Sequence, residues 1–129
     1  MRRYAGGEFD LKKDKEILQI DSPRGNVSGP WCVVHKNIDE RWAIVLLHFG
    51  DKRRGSLKPS IGIRWFNGTT GTPSVKTYAT WFILPDGIIK PFLENLPITQ
   101  QSRQEIYDIL SNHYTIDELK AIRKSKYKF

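Results

Sequence analysis

Six basic side chains crowd two short stretches of this chain. Lys52, Arg53, Arg54 and Lys58 stand in one polar loop, and Arg64 and Lys76 border the next. Cations gathered this way favour encounter with phosphates or other anions. Aromatic rings sit on the neighbouring apolar runs at Trp65, Phe66, Tyr78 and Trp81. Rings that can stack on bases, next to Lys and Arg that can follow a backbone, suit a sheet surface that binds single-stranded nucleic acid. Trp42, Trp65, Tyr78 and Trp81 also permit a different chemistry, an aromatic pocket for a small apolar ligand between sheet and helices. A third use of the same residue types is protein contact, through aromatic and Arg anchors or through an unpaired sheet edge that would join a second copy.

The charge is unevenly spread. The chain has 129 residues and a formal net charge of +7. Residues 1–40 hold as many acidic as basic groups, and residues 85–129 hold one more basic than acidic. The middle segment, 41–84, sets Arg41, Lys52, Arg53, Arg54, Lys58, Arg64 and Lys76 against Asp51 alone.

Other chemistries find less support. His35, His48 and His113 are dispersed, and Cys32 with His35 falls on a strand where residues three apart face opposite sides. Zinc needs about four ligands in recognisable spacing, so no metal site is expected. There is no Gly-x-Ser-x-Gly elbow, and Cys32 has no base partner in the sequence and reads as a small hydrophobe. Asp51 and Asp86 flank strand ends and read as turn and cap residues. Asn67-Gly68-Thr69-Thr70-Gly71-Thr72 has free amides but no Walker lysine, which leaves a hairpin loop. No catalytic residue and no cofactor is assigned, and the reading is a non-enzymatic binding protein.

The elements that must carry these residues follow from the hydrophobic pattern. Trp31 to His35 is β-rich. Arg41 to Phe49 is apolar on both faces, as a strand covered on both sides would be. Ile61, Ile63 and Trp65 alternate with Gly62, Arg64 and Phe66, after a loop over 50–60. Thr77 to Leu84 alternates in the same way and closes an antiparallel meander. Before the sheet, residues 1–30 are polar and turn-rich, and 10–20 is open to either a short helix or a strand. After it, three helical segments are expected. The first is short, lies over 88–96 and contains Pro91. The second runs from Thr99 to His113 with capping-box spacing at Ser102 and Glu105. The third starts at Thr115-Ile116-Asp117-Glu118 and is basic toward its end. Residues 1–8 and 124–129 are expected to be loose.

Length and an aromatic content of 12% suit one globular α+β domain, a mostly antiparallel sheet over about 31–84 with two or three C-terminal helices on one face. The longest unbroken apolar run, Ala43 to Leu47, is far short of the ~20 residues that cross a bilayer. Arg2 and Arg3 precede no apolar stretch, so the start does not read as a signal peptide. With a single cysteine, a reducing cytoplasm is the expected compartment.

The run Trp42-Ala43-Ile44-Val45-Leu46-Leu47, then Gly62-Ile63-Arg64-Trp65-Phe66, then Thr80-Trp81-Phe82-Ile83-Leu84-Pro85 resembles small bacterial proteins of the kind carried on mobile elements such as integron gene cassettes. The resemblance spans about residues 40–86. It implies a compact stand-alone bacterial domain and carries over no activity and no functional residue.

Overall fold

The central strand is built as its composition requires. The computed structural model describes residues 9–68, 70–75 and 78–127. In it, β1 (Val27–Asn37), β2 (Trp42–Phe49) and β3 (Lys58–Trp65) form an antiparallel meander. Ala43 to His48 are all buried, so β2 is sandwiched on both faces. Sheet order is β1-β2-β3-β6, where β6 is the two-residue strand Phe82–Ile83. β4 (Ser74–Val75) and β5 (Tyr78–Ala79) make a separate two-stranded ribbon.

Strand alternation divides the core in two. Ile44, Leu46 and Ile61 face the C-terminal helices α2 (Asp86–Glu94), α3 (Gln100–Ser111) and α4 (Ile116–Tyr127), meeting Leu93, Ile106 and Leu119. Ala43, Val45 and Leu47 face the other way. They are covered by Phe9, Leu11, Ile17, Leu18 and Ile20, from the N-terminal segment and the one-turn helix α1 (Asp14–Leu18). The expected α+β architecture with helices on one face is therefore present. The second cover is the segment whose sequence is polar and turn-rich.

Four local expectations need correction. The loop after β2 ends three residues early, because β3 begins at Lys58. Pro59 is tolerated there since β6 reaches only Gly62 and Ile63, leaving the amide side opposite Pro59 without a ladder partner among the described residues. The single strand over 77–84 is broken, with Tyr78–Ala79 joining the ribbon and Phe82–Ile83 joining the main sheet. Its alternation nevertheless holds, since Ala79, Trp81 and Ile83 share one core while Leu84 enters the other. The cap of α3 lies one turn earlier than Ser102, where the Thr99 hydroxyl accepts from the Ser102 amide at 3.0 Å. Of the stretches expected to be loose, residues 1–8 and 128–129 lie outside the described residues, and residues 124–127 are helical. Residues 124–127 complete α4, and the Tyr127 hydroxyl accepts the Val33 amide at 2.9 Å, tying down the β1 edge. The capping box at Thr115 is fully formed: the Glu118 amide donates to the Thr115 hydroxyl at 3.1 Å, and the Thr115 amide donates to the Glu118 carboxylate at 2.9 Å.

Arg64 is the largest departure from the sequence reading. It is 0% exposed. Alternation sends it with Gly62 into the N-terminal core, where its guanidinium lies 5.0 Å from the Phe66 ring centre. Nη1 donates to the carbonyls of Thr80 at 2.6 Å and Pro73 at 3.1 Å, and Nη2 donates to the carbonyl of Thr70. No carboxylate balances it among the described residues, its Nε–H has no acceptor, and burial pushes its pKa down to about 10. The side chain is thus a clamp, holding the 67–73 loop and the break at Thr80 against β3. Gly71 permits it: φ is +76°, and a Cβ there would collide with Arg64 Nη2 and the Trp65 carbonyl.

Replacing Arg64 by Met keeps the stem and strands three carbonyls. The expected loss is about 2–4 kcal/mol in urea unfolding at neutral pH. A loss below about 0.5 kcal/mol, within the ordinary range for surface substitutions, would show that the clamp is not needed.

Candidate nucleic-acid interface

The basic loop is folded tightly before any partner arrives. Asp51 caps the 3₁₀ turn Lys52–Arg54, its Oδ1 accepting the Arg53 amide at 2.9 Å. Gly55 closes the turn at φ +63°. Three bonds fasten the loop to the 23–26 turn, one of them from the Gly50 amide to the Asn26 carbonyl at 3.0 Å. The Lys52 amide donates to the Gly25 carbonyl at 3.0 Å, and the Asn26 side chain donates to the Gly50 carbonyl at 2.8 Å. The side chains of Lys52 and Arg53 project into solvent with no ion pair among the described residues. Arg54 leans on Asp51 at 3.6 Å.

α4 brings two more cations beside Lys52. Lys52, Lys120 and Arg123 line one open depression of about 330 Å³, with Asp21, Ser28 and Trp31. Lys120 and Arg123 are three apart and so share a helix face. Asp21 is the one carboxylate there; its pKa is raised by burial, and Arg24 stands 3.5 Å from its Oδ2. The balance of the depression is positive.

A hydrogen-bond relay sets the position of α4. Trp31 Nε1–H donates to His48 Nδ1 at 2.8 Å, and His48 Nε2 lies 2.7 Å from the Tyr114 carbonyl, one residue before the α4 cap. Indole can only donate and a carbonyl can only accept, so His48 must be the neutral Nε2–H tautomer. Burial accordingly pushes its pKa below the ordinary histidine value. The Arg123 guanidinium stacks 5.1 Å from the Trp31 ring centre and donates to the Pro30 carbonyl at 3.0 Å. Gly29, at φ +97°, lets the chain pass close under the indole, where a Cβ would come within 3.0 Å.

The other basic residues named from the sequence go elsewhere. Arg64 is buried and unavailable to any ligand. Lys58 is ion-paired with Asp86 at the entry to α2. Arg41, counted in the excess charge, donates to the carbonyls of Phe66 and Phe9 at 3.1 and 3.0 Å and pins the N-terminal segment. Lys76 lies outside the described residues. Of the six predicted contacts, the structure leaves Arg53 exposed without an ion pair among the described residues, Lys52 exposed with its charge felt by Asp21, and Arg54 lightly held.

The four aromatics do not form one pocket. Trp81 is buried in the N-terminal core and donates to the Ile20 carbonyl at 2.7 Å. Trp42 and Trp65 are cross-strand partners on the opposite, helix-bearing face, and Tyr78 is on the ribbon. Trp81 and Trp42 are thus separated by the sheet itself. Trp65 is 46% exposed and Phe82 56%, on the stretch of this face that the helices leave open. Trp42 and Trp65 pair at one end of β2 and β3, while Phe49 and Lys58 pair at the other, next to the basic loop. Seven residue steps separate them, about 24 Å. The exposed rings and the basic loop are therefore not one surface.

Cys32 and His35 share a face after all, because a bulge between Val33 and His35 shifts the register. His35 packs against Trp42 at 5.4 Å, and burial pushes the Cys32 thiol up. Among the described residues no three His, Cys, Asp or Glu side chains gather in a metal-binding group. No helix of the described residues is long and apolar enough to cross a membrane. Comparison of the chain with protein-family models, with curated proteins and with solved structures finds no match.

Lys120 and Arg123 are the functional candidates the sequence pattern did not single out. Their spacing on one helix face was readable; their arrival beside Lys52 depends on how α4 docks. The relay that docks it should make stability acid-sensitive. His48 is neutral in the fold with a depressed pKa, so between that value and the unfolded value of about 6.5 the unfolded chain binds the extra proton. Its contribution is fully present above about pH 6.5 and declines below, by up to about 1.4 kcal/mol per pH unit. NMR titration of the His48 ring checks this, and a pKa at or above the ordinary histidine value would contradict the assigned tautomer.

Proposed function

We propose that this chain is a non-enzymatic nucleic-acid-binding protein whose contact surface is the loop Lys52–Arg54 together with Lys120 and Arg123 of α4. One observation carries the reading: cations from two segments nearly seventy positions apart in sequence meet at one open depression. Solvated lysines scattered over a surface explain isolated charges, but they do not account for Lys52, on a loop tied down by backbone bonds, meeting two cations of one helix face at one depression. Phosphate is the complementary chemistry, since Lys provides a compact charge and the free N–H groups of Arg can fork onto two oxygens.

The test is a fluorescence-anisotropy titration of the full chain with labelled oligonucleotides at low and moderate salt. The triple variant Lys52→Ala, Arg53→Ala, Lys120→Ala changes only exposed side chains and should keep the wild-type urea midpoint. Its affinity at low salt should fall at least about 30-fold, each lost phosphate contact removing part of the counterion-release term. Absence of binding by the wild-type chain at low salt, or equal affinity of the variant, would sink the reading.

A further inference from the structure

The same surface points to the form of nucleic acid it takes. Resting on the reading above, we infer that the partner is a duplex, held through its sugar–phosphate backbone without regard to base sequence.

Single-strand recognition needs exposed rings beside the cations, because unstacked bases must be paid for by new stacking partners. The depression has none. Trp31 is the one aromatic that lines it, and it is buried: Arg123 lies over its ring, and the His48 ring packs edge-on at 5.8 Å. Phe66 and Trp81 are buried in the N-terminal core. The exposed rings of Trp65 and Phe82 lie toward the far end of the sheet. There the indole of Trp42, the cross-strand partner of Trp65, donates to the Glu40 carboxylate at 3.2 Å, a group that repels phosphate.

What remains at the basic face is charge on a rigid frame. Such a frame favours the ligand with the highest fixed density of phosphates, and duplex DNA carries one per ~1.7 Å of axis, held in place. A flexible single strand has lower charge density and must lose freedom to follow the cations, with no stacking in return. On the basic face, the described residues of α4 include no Asn or Gln for base edges, and Arg123 is already engaged with the Pro30 carbonyl and the Trp31 ring.

The experiment titrates the full chain with a labelled 20-base-pair DNA duplex, a scrambled duplex of equal length, and a 20-nucleotide thymidine strand, at 50 and 200 mM salt. With about four phosphates neutralised, duplex affinity should fall about 100-fold across that salt range. The duplex should bind at least fivefold tighter than the single strand, both duplexes should agree within twofold, and Trp65→Ala should change neither. Tighter binding of the single strand, a tenfold difference between the duplexes, or loss of single-strand binding in Trp65→Ala would overturn the inference while leaving a nucleic-acid function intact. Failure of all three probes to bind at 50 mM salt would instead remove the proposed function, and this inference with it.

Discussion

The bond from the Trp31 indole to His48, continued to the Tyr114 carbonyl, joins three elements that are distant in the chain. β1 supplies the indole, β2 the imidazole and the approach to α4 the carbonyl. Trp31 and His48 are buried, and there an unmade hydrogen bond costs about 1–3 kcal/mol. The relay therefore tolerates one protonation state and one placement of α4. Arg123 rests on the same indole, so the position of one cation in the candidate interface depends on a histidine that bonds the indole rather than the guanidinium. A buried histidine in the middle of the sheet is thus a positioning device.

Charge and function separate in this protein according to where the cations go. The middle of the chain has a large basic excess, yet Arg41 and Arg64 spend theirs on backbone carbonyls. Guanidinium suits that task because it carries several donors on a planar fork and keeps its charge even when its pKa falls to about 10. Lys58 is neutralised across the α2 entry. The free cations left in the loop are fewer than the sequence count, and α4 makes up the difference from a segment whose own balance is nearly neutral. Net charge along a chain and net charge over a surface are different quantities.

Short-range chemistry was the readable part. The apolar run at β2, the reciprocal Thr115–Glu118 cap and the alternation through Ala79 to Leu84 each depend on neighbours within a turn or a strand. Apart from the α3 cap, the larger misreadings have distant partners. The 77–84 strand breaks where Arg64 captures the Thr80 carbonyl. The N-terminal segment becomes a wall of the core because Arg41 and the β2 face receive it. The Cys32 and His35 side chains share a face because of a bulge that no local signal announces. Loss of the aromatic pocket has the same origin, since strand parity sent Trp81 to one side of the sheet and the pairing of β2 with β3 sent Trp42 and Trp65 to the other.

The amino-acid sequence by itself determined an α+β fold with a doubly covered central strand, the C-terminal helices, and a basic, aromatic-rich middle. Hydrophobic periodicity and capping are local and survive without knowledge of the partners. Only the tertiary structure decided which cations stay free, that Lys120 and Arg123 stand beside Lys52, and that the exposed rings lie a full strand length away from them. Those facts follow from the docking of α4, from β-sheet register and from the desolvation of Arg64, and each of these is a relation between residues far apart in the chain.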